Sequence, residues 1–190
     1  MREIKKFSKP AFLSEMQFNE HIKLYEGYVK KANEIGEKLK ANSMDDANAT
    51  LSEVRSLRLG ETFAENGRRL HELYFENLGT DASNFEGNVA KEIDAKWGFE
   101  KFKKSFSASA LSVRGWVVLA WDNDLKKLKI YATDQHDIAV WNAFPLLVLD
   151  VYEHAYFLDF GTNRKAYVEK FFENVNWEIV EKRFNGVNKN

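Results

Sequence analysis

The chain has 190 residues, 44% hydrophobic and 14% aromatic, enough to bury a sizeable core as one compact domain or two small ones sharing an interior. Its 28 basic and 29 acidic side chains leave a formal net charge of -1, which removes the usual electrostatic argument for a nucleic-acid or anionic-membrane partner. With no cysteine there can be no disulfide, thiolate metal site or cysteine nucleophile, so any metal must be held by histidine and carboxylate.

The first fifteen residues, MREIKKFSKPAFLSE, break their apolar character with Ser, Lys and Pro and do not read as a secretory start. No apolar run is long enough to span a bilayer, and a cytoplasmic protein is expected. From 14 to 39, Phe18, Tyr25, Tyr28, Ala32, Ile35 and Leu39 recur at three-four spacing, which predicts one long amphipathic helix starting near Ser14, with His21 on the same stripe. The polar stretch ANSMDDANAT (41 to 50) is the expected connection. A second helix is predicted from about Glu61 to Leu78, ended by Gly79, with Phe63, Gly67, Leu70, Tyr74 and Leu78 on one face and His71 at its edge. Two such helices suggest an antiparallel hairpin with one histidine from each pointing inward.

Beyond GTDASN, the segments GNVAKEIDAKWG and FEKFKKSFSASALS read as two shorter helices, the second burying Phe99, Phe102 and Phe106. The period then falls towards two. GWVVLAWD (115 to 122) and KLKIYATD (127 to 134) flank a turn, and PLLVLDV (145 to 151) is a third strand opened by Pro145. RKAYVEKFFENVNWEIVEKRF closes the chain as one or two helices, followed by NGVNKN as a frayed tail. The expected architecture is α+β: an N-terminal helical hairpin domain (1–80), then a C-terminal α/β domain (81–190) with a small three-stranded antiparallel sheet, and the site between them.

The chain has four histidines, and two of them, His21 and His71, fall on inward helix faces. A third, His154, follows the strand that ends in Asp150, inside the apolar run LDVYEHAYFLDF. For each alone, a satisfied core histidine is the commoner fate. Jointly, three imidazoles and a carboxylate from two helices and a strand-to-helix corner suit a first-row transition metal.

The stretch PLLVLDVYEHAYFLDFGTNRKAYVEKFFENVNW resembles the C-terminal signature of the iron/manganese superoxide dismutases, whose pattern is Asp-x-Trp-Glu-His-Ala-Tyr followed by an Asn/Arg/Tyr helix and an Asn-Trp pair. RLHELYFENL is similar to the family's second-ligand helix, EHIKLYEGYV to its first helix, and RGWVVLAW to its Gly-Trp strand. The resemblance implies one iron or manganese ion held by His21, His71, Asp150 and His154, with superoxide as substrate and dismutation to oxygen and hydrogen peroxide as the activity. It further implies that Tyr28 lies near the open coordination position, that Trp116 lines the pocket, and that His136 hydrogen-bonds the metal-bound solvent, or Gln135 if the register slips by one. The family's other source of that bond corresponds to Gly67, which can supply nothing. Glu153 and Tyr156 resemble residues that reach across a homodimer interface, and Arg164 resembles a funnel arginine; without the family Glu153 reads equally as a solvated charge, Tyr28 equally as a half-buried core tyrosine, and Arg164 at least as readily as a surface ion pair.

Several positions depart from that pattern. The family spaces its first ligand eight residues from the tyrosine, whereas His21 and Tyr28 are seven apart, which a regular helix places on one face after about 700° of turn; a regular helix is therefore predicted. Tyr25 replaces a gate histidine, Phe75 a cage tryptophan, and Tyr152 the tryptophan of the Trp-Glu-His motif, so lower turnover is expected. Cues to the metal disagree: Gly67 and His136 look like the manganese arrangement, and Val148 like the iron one. The alternative function is a catalytically silent scaffold of the same fold, against which four intact ligands argue. Another mononuclear iron chemistry would want more open positions than four protein ligands leave.

Overall fold

A computed structural model describes residues 1–78 and 82–187. Helix α1 (Glu15–Ala41) starts where Ser14 caps it, the hydroxyl accepting the Gln17 amide N–H at 3.1 Å. It is uninterrupted α-helix through His21 and Tyr28, as the seven-residue spacing predicts, and it buries Phe18, Tyr25, Val29, Ala32, Ile35 and Leu39. Helix α2 (Glu53–Glu76) lies against it as the second arm of the hairpin.

Helix α2 begins eight residues earlier than the apolar spacing suggests. Ser52 is the cap, accepting the Arg55 N–H at 3.2 Å, and Leu57 and Ala64 extend the buried stripe back to it. The predicted face also needs correction. Phe63 is partly exposed, whereas His71, expected at the edge, is fully buried. The helix ends at Glu76 with Asn77 as cap, and the predicted Gly79 stop lies outside the described residues. Asn77 also ties the hairpin to the rest of the molecule: its Oδ1 accepts the Val148 N–H at 2.8 Å and its carbonyl accepts the Asn176 N–H at 2.8 Å.

Two short helices follow, α3 (Asn88–Lys96) and α4 (Phe99–Ser112), and then the sheet of β1 (Trp116–Asp122), β2 (Lys127–Thr133) and β3 (Ala143–Asp150). Its order is β2-β1-β3, antiparallel throughout, with Trp116 opposite both Thr133 and Asp150. The register shifts between Leu119 and Ala120, opposite Pro145, which an edge strand tolerates. Trp116, Val117, Leu119 and Leu146 to Leu149 are buried, packed with Phe102, Phe106, Phe171 and Trp177 in one core.

After Asp150 the chain makes a 3-10 turn (Glu153–Ala155) and one helical turn, α5 (Phe157–Phe160), neither of which the periodicity predicts. Helices α6 (Arg164–Glu173) and α7 (Trp177–Val187) close the fold. The expected frayed tail is helical over Asn185, Gly186 and Val187, and residues 188–190 lie outside the described part. No helix among the described residues is long and apolar enough to cross a membrane.

Candidate metal centre

His21 from α1, His71 from α2, Asp150 at the end of β3 and His154 in the following 3-10 turn bring one ligand atom each within 4.8 Å of one another. Three imidazole nitrogens converge on a single carboxylate oxygen: Nε2 of His21 and of His154 lie 3.1 Å from Asp150 Oδ2, and Nε2 of His71 lies 3.5 Å from it. His21, His71 and Asp150 are fully buried; only the His154 side chain keeps 25% exposure.

His71 decides what such a cluster is for. Its Nδ1 lies 2.6 Å from the Gly67 carbonyl, an acceptor, so Nδ1 carries the proton and Nε2 presents a lone pair to the carboxylate. Two acceptors face one another in a dry interior, and Nε2 has no hydrogen-bond partner. A cation between them resolves the conflict, and the donor set of three nitrogens and one oxygen fits iron or manganese. Burial pushes His21 and His71 below the ordinary imidazole pKa, His71 well below, so both are neutral and ready to ligate. Burial acts on His154 in the same sense, but the Asp150 carboxylate outweighs it and the net shift is upward. Asp150 is itself held ionised: burial opposes this, and the surrounding imidazoles overcome it.

Aromatic rings wall the cluster. Trp116 stands edge-on to His71 at 5.0 Å, Phe75 and Tyr74 lie 4.8 and 5.2 Å from His21, and Tyr152 stacks on His154 at 5.1 Å. Behind this wall runs a directed chain of hydrogen bonds. The Trp116 indole can only donate, so at 2.8 Å it makes His136 Nδ1 the acceptor. Nε2 of His136 therefore carries the proton and donates to the Tyr28 hydroxyl at 2.8 Å, leaving the tyrosine proton unspent. His136 is buried and Gln135 is exposed on the outer rim.

Residues 85–183 match the family model of the C-terminal domain of iron/manganese superoxide dismutases. The chain is 37% identical over 179 residues to the iron superoxide dismutase of Aquifex aeolicus, covering 90% of this chain and 84% of that one. The chain belongs to the iron/manganese superoxide dismutases. It is also 35% identical to the Mn/Fe superoxide dismutase of Aeropyrum pernix (92% of this chain, 84% of that one) and 33% identical to a manganese superoxide dismutase of Halobacterium salinarum (86% and 82%). Relatives at similar distance thus carry iron, manganese or both in their names, matching the divided cues of Gly67, His136 and Val148.

In this superoxide dismutase three more residues brace the cluster: Gln17 and Tyr167, which the sequence reading missed, and Tyr25, which it named only as standing in place of a gate histidine. Gln17, fully buried one turn before His21, donates from Nε2 to the His154 carbonyl at 2.6 Å and accepts the Leu158 N–H at 3.0 Å, pinning the ligand turn to α1. Tyr167 donates its hydroxyl to the Asp150 carbonyl at 2.9 Å, with the Tyr74 hydroxyl 3.0 Å away. Tyr25 accepts the Lys5 N–H at 2.9 Å and reaches Glu72 Oε1 at 3.3 Å, bridging the two ligand-bearing helices. A glutamine on a buried stripe is a readable signal, whereas Tyr167 looks like an ordinary core residue. Glu153 is exposed, and Tyr156 is buried with its hydroxyl accepting the Arg164 Nε–H at 3.0 Å.

Proposed function

We propose that the protein is a superoxide dismutase that uses one iron or manganese ion per chain. The observation that carries this reading is the bare Nε2 of His71 facing Asp150 Oδ2, within a set of three imidazoles and a carboxylate. When bound, the ion supplies the one-electron oxidation and reduction by which superoxide becomes oxygen in one half-reaction and hydrogen peroxide in the other.

The protein's share follows from its own groups. His21, His71, Asp150 and His154 would hold the ion, each offering one ligand atom. Neutral imidazoles and one carboxylate bring a single negative charge, so gaining an electron changes the charge of a dry site, and taking up a proton with it offsets that cost. Tyr28 would supply that proton, since His136 donates to its oxygen and leaves its own O–H unspent. Trp116 fixes the His136 tautomer and, with Tyr152 and Phe75, excludes bulk water. Gln135 stands outside this chain on the approach.

The reading includes a homodimer in which Glu153 reaches His154 of the partner subunit, where a carboxylate fixes the tautomer and raises ligand basicity, with Tyr156 and Arg164 behind it. The exposure of Glu153 supports this. It also includes a division into a hairpin domain (1–80) and a C-terminal domain (81–190), supported by the family match beginning at residue 85, with the metal between them. A cytoplasmic location is part of the reading, and the cysteine-free composition is compatible with it.

The test is dismutase activity of protein stripped of metal and reloaded separately with iron and with manganese, with bound metal quantified. Activity near one ion per chain supports the reading and ranks the two metals. Stoichiometric metal without turnover would leave a silent scaffold of this fold, and no metal at all would sink the ligand assignment.

A further inference from the structure

The buried ligands are approached from one side. A depression of about 830 Å³ is lined by Tyr152, Glu153 and His154, and His154 is the one ligand with an exposed side chain. Four charged groups besides His154 line it: Arg114, Arg164, Asp134 and Glu153. We propose that Arg114 is a second anion-steering cation of this approach, drawing superoxide towards His154 and the metal. This rests on the dismutase reading above.

The corner that carries Arg114 is held rigidly. Its own N–H donates to Asp134 Oδ1 at 2.9 Å. The next residue, Gly115, sits so close to the end of β2 that a Cβ there would meet the Thr133 carbonyl oxygen at 2.7 Å. On the other side, Arg164 Nη1 donates to the Val113 carbonyl at 2.7 Å. The two arginines therefore flank one corner but spend their guanidiniums differently. Arg164 is committed through Nε to Tyr156 and through Nη1 to Val113. Arg114 is exposed, and among the described residues its guanidinium makes no hydrogen bond and no ion pair. It is the cation left free to meet an incoming anion.

Charge makes that freedom matter. Asp134 lines the mouth whatever Glu153 contacts in a homodimer, and Arg164 is spent on Tyr156 and Val113; without Arg114 no free cation remains there to offset the Asp134 carboxylate against an incoming monoanion. The chain's net charge of -1 offers no long-range attraction to compensate.

The experiment compares wild type, Arg114→Gln and Arg114→Lys as metal-loaded protein, reading kcat/KM against ionic strength and the affinity of azide, a monoanion that binds iron and manganese. Arg114→Gln is expected to lose roughly two- to fivefold in kcat/KM at low salt and to weaken azide by a similar factor. The difference should fade above about 0.5 M salt, where screening acts within a few ångströms, and Arg114→Lys should recover most of it. Metal content and metal absorption spectrum should match wild type. An unchanged salt dependence and azide affinity in Arg114→Gln would overturn the proposal, as would a change confined to dimer dissociation. Should wild type bind azide at its metal yet fail to dismutate superoxide, the functional reading falls while the azide comparison still decides the role of Arg114.

Discussion

Replacing Gly67 by alanine tests whether the face-to-face contact of α1 and α2 sets the position of Tyr28. A Cβ on Gly67 would lie 2.9 Å from Tyr28 Cδ1, 3.0 Å from Cε1 and 3.1 Å from Cγ. Carbon atoms rest at about 3.5–4.0 Å, so the ring must retreat by roughly 0.6 Å or more, and three of its atoms are struck at once. Turning the ring about Cβ–Cγ leaves Cγ where it is, so relief requires the whole side chain to swing about Cα–Cβ. Overpacking of this kind costs about 1–3 kcal/mol, while alanine regains about 1 kcal/mol of helix propensity over glycine, so the net loss of stability is about 0–2 kcal/mol. Function should suffer more. The same retreat stretches the 2.8 Å bond from His136 to Tyr28; losing a bond worth about 1 kcal/mol predicts a fall of roughly fivefold in turnover. Dismutase assays and thermal unfolding of the metal-loaded variant, with metal content measured, check this. A Gly67→Ala protein with raised Tm and full turnover would show that the ring is free to move and would refute the reasoning.

The double substitution His71→Ala with Asp150→Ala should abolish stoichiometric metal binding, leaving less than one ion in ten chains by elemental analysis; retention of a full ion would show that the ligands lie elsewhere. Removing metal from the native protein should lower its stability, because an ion held by these four residues would tie α1, α2 and the end of β3 together: at one hundred times the dissociation constant the linkage is about 2.7 kcal/mol, or roughly 5–10 °C in Tm for a chain of this size, measured by unfolding with and without chelator. Arg183 joins α7 to the hairpin and sheet, donating to the carbonyls of Leu146 at 2.7 Å and Leu73 at 3.0 Å and to Glu76 Oε2 at 3.0 Å. Arg183→Leu should cost about 3 kcal/mol in urea unfolding, and Arg183→Lys should restore only part of it, since an ammonium lacks the fork that reaches several acceptors at once.

The cluster able to hold a metal was legible in the sequence because its constraints are local or periodic. Asp150 and His154 lie four apart at a strand end, and His21 shares a three-four stripe with the core of α1, so the helix period alone turns it inward. The start of α2 was not legible for an equally physical reason. Between Asn42 and Ser52 most residues are possible cap or turn formers, and the first two turns of the helix bury little besides Leu57. The turns at 153 to 160 carry no signal of their own either, because Gln17, more than 130 residues away, satisfies their backbone from both ends through the His154 carbonyl and the Leu158 N–H. Phe63 shows how periodicity misleads at a site: its spacing marks it as core, but it stands at the rim with its ring 4.7 Å from His136, covering the relay rather than filling the interior. The relay itself joins residues 28, 116 and 136, and its direction depends on one fact that no spacing encodes. An indole can only donate, so Trp116 at 2.8 Å assigns the proton of His136 to the nitrogen facing Tyr28. A residue at position 116 that accepted instead would reverse the chain and leave the tyrosine hydroxyl donating to His136, with its proton no longer available to the pocket.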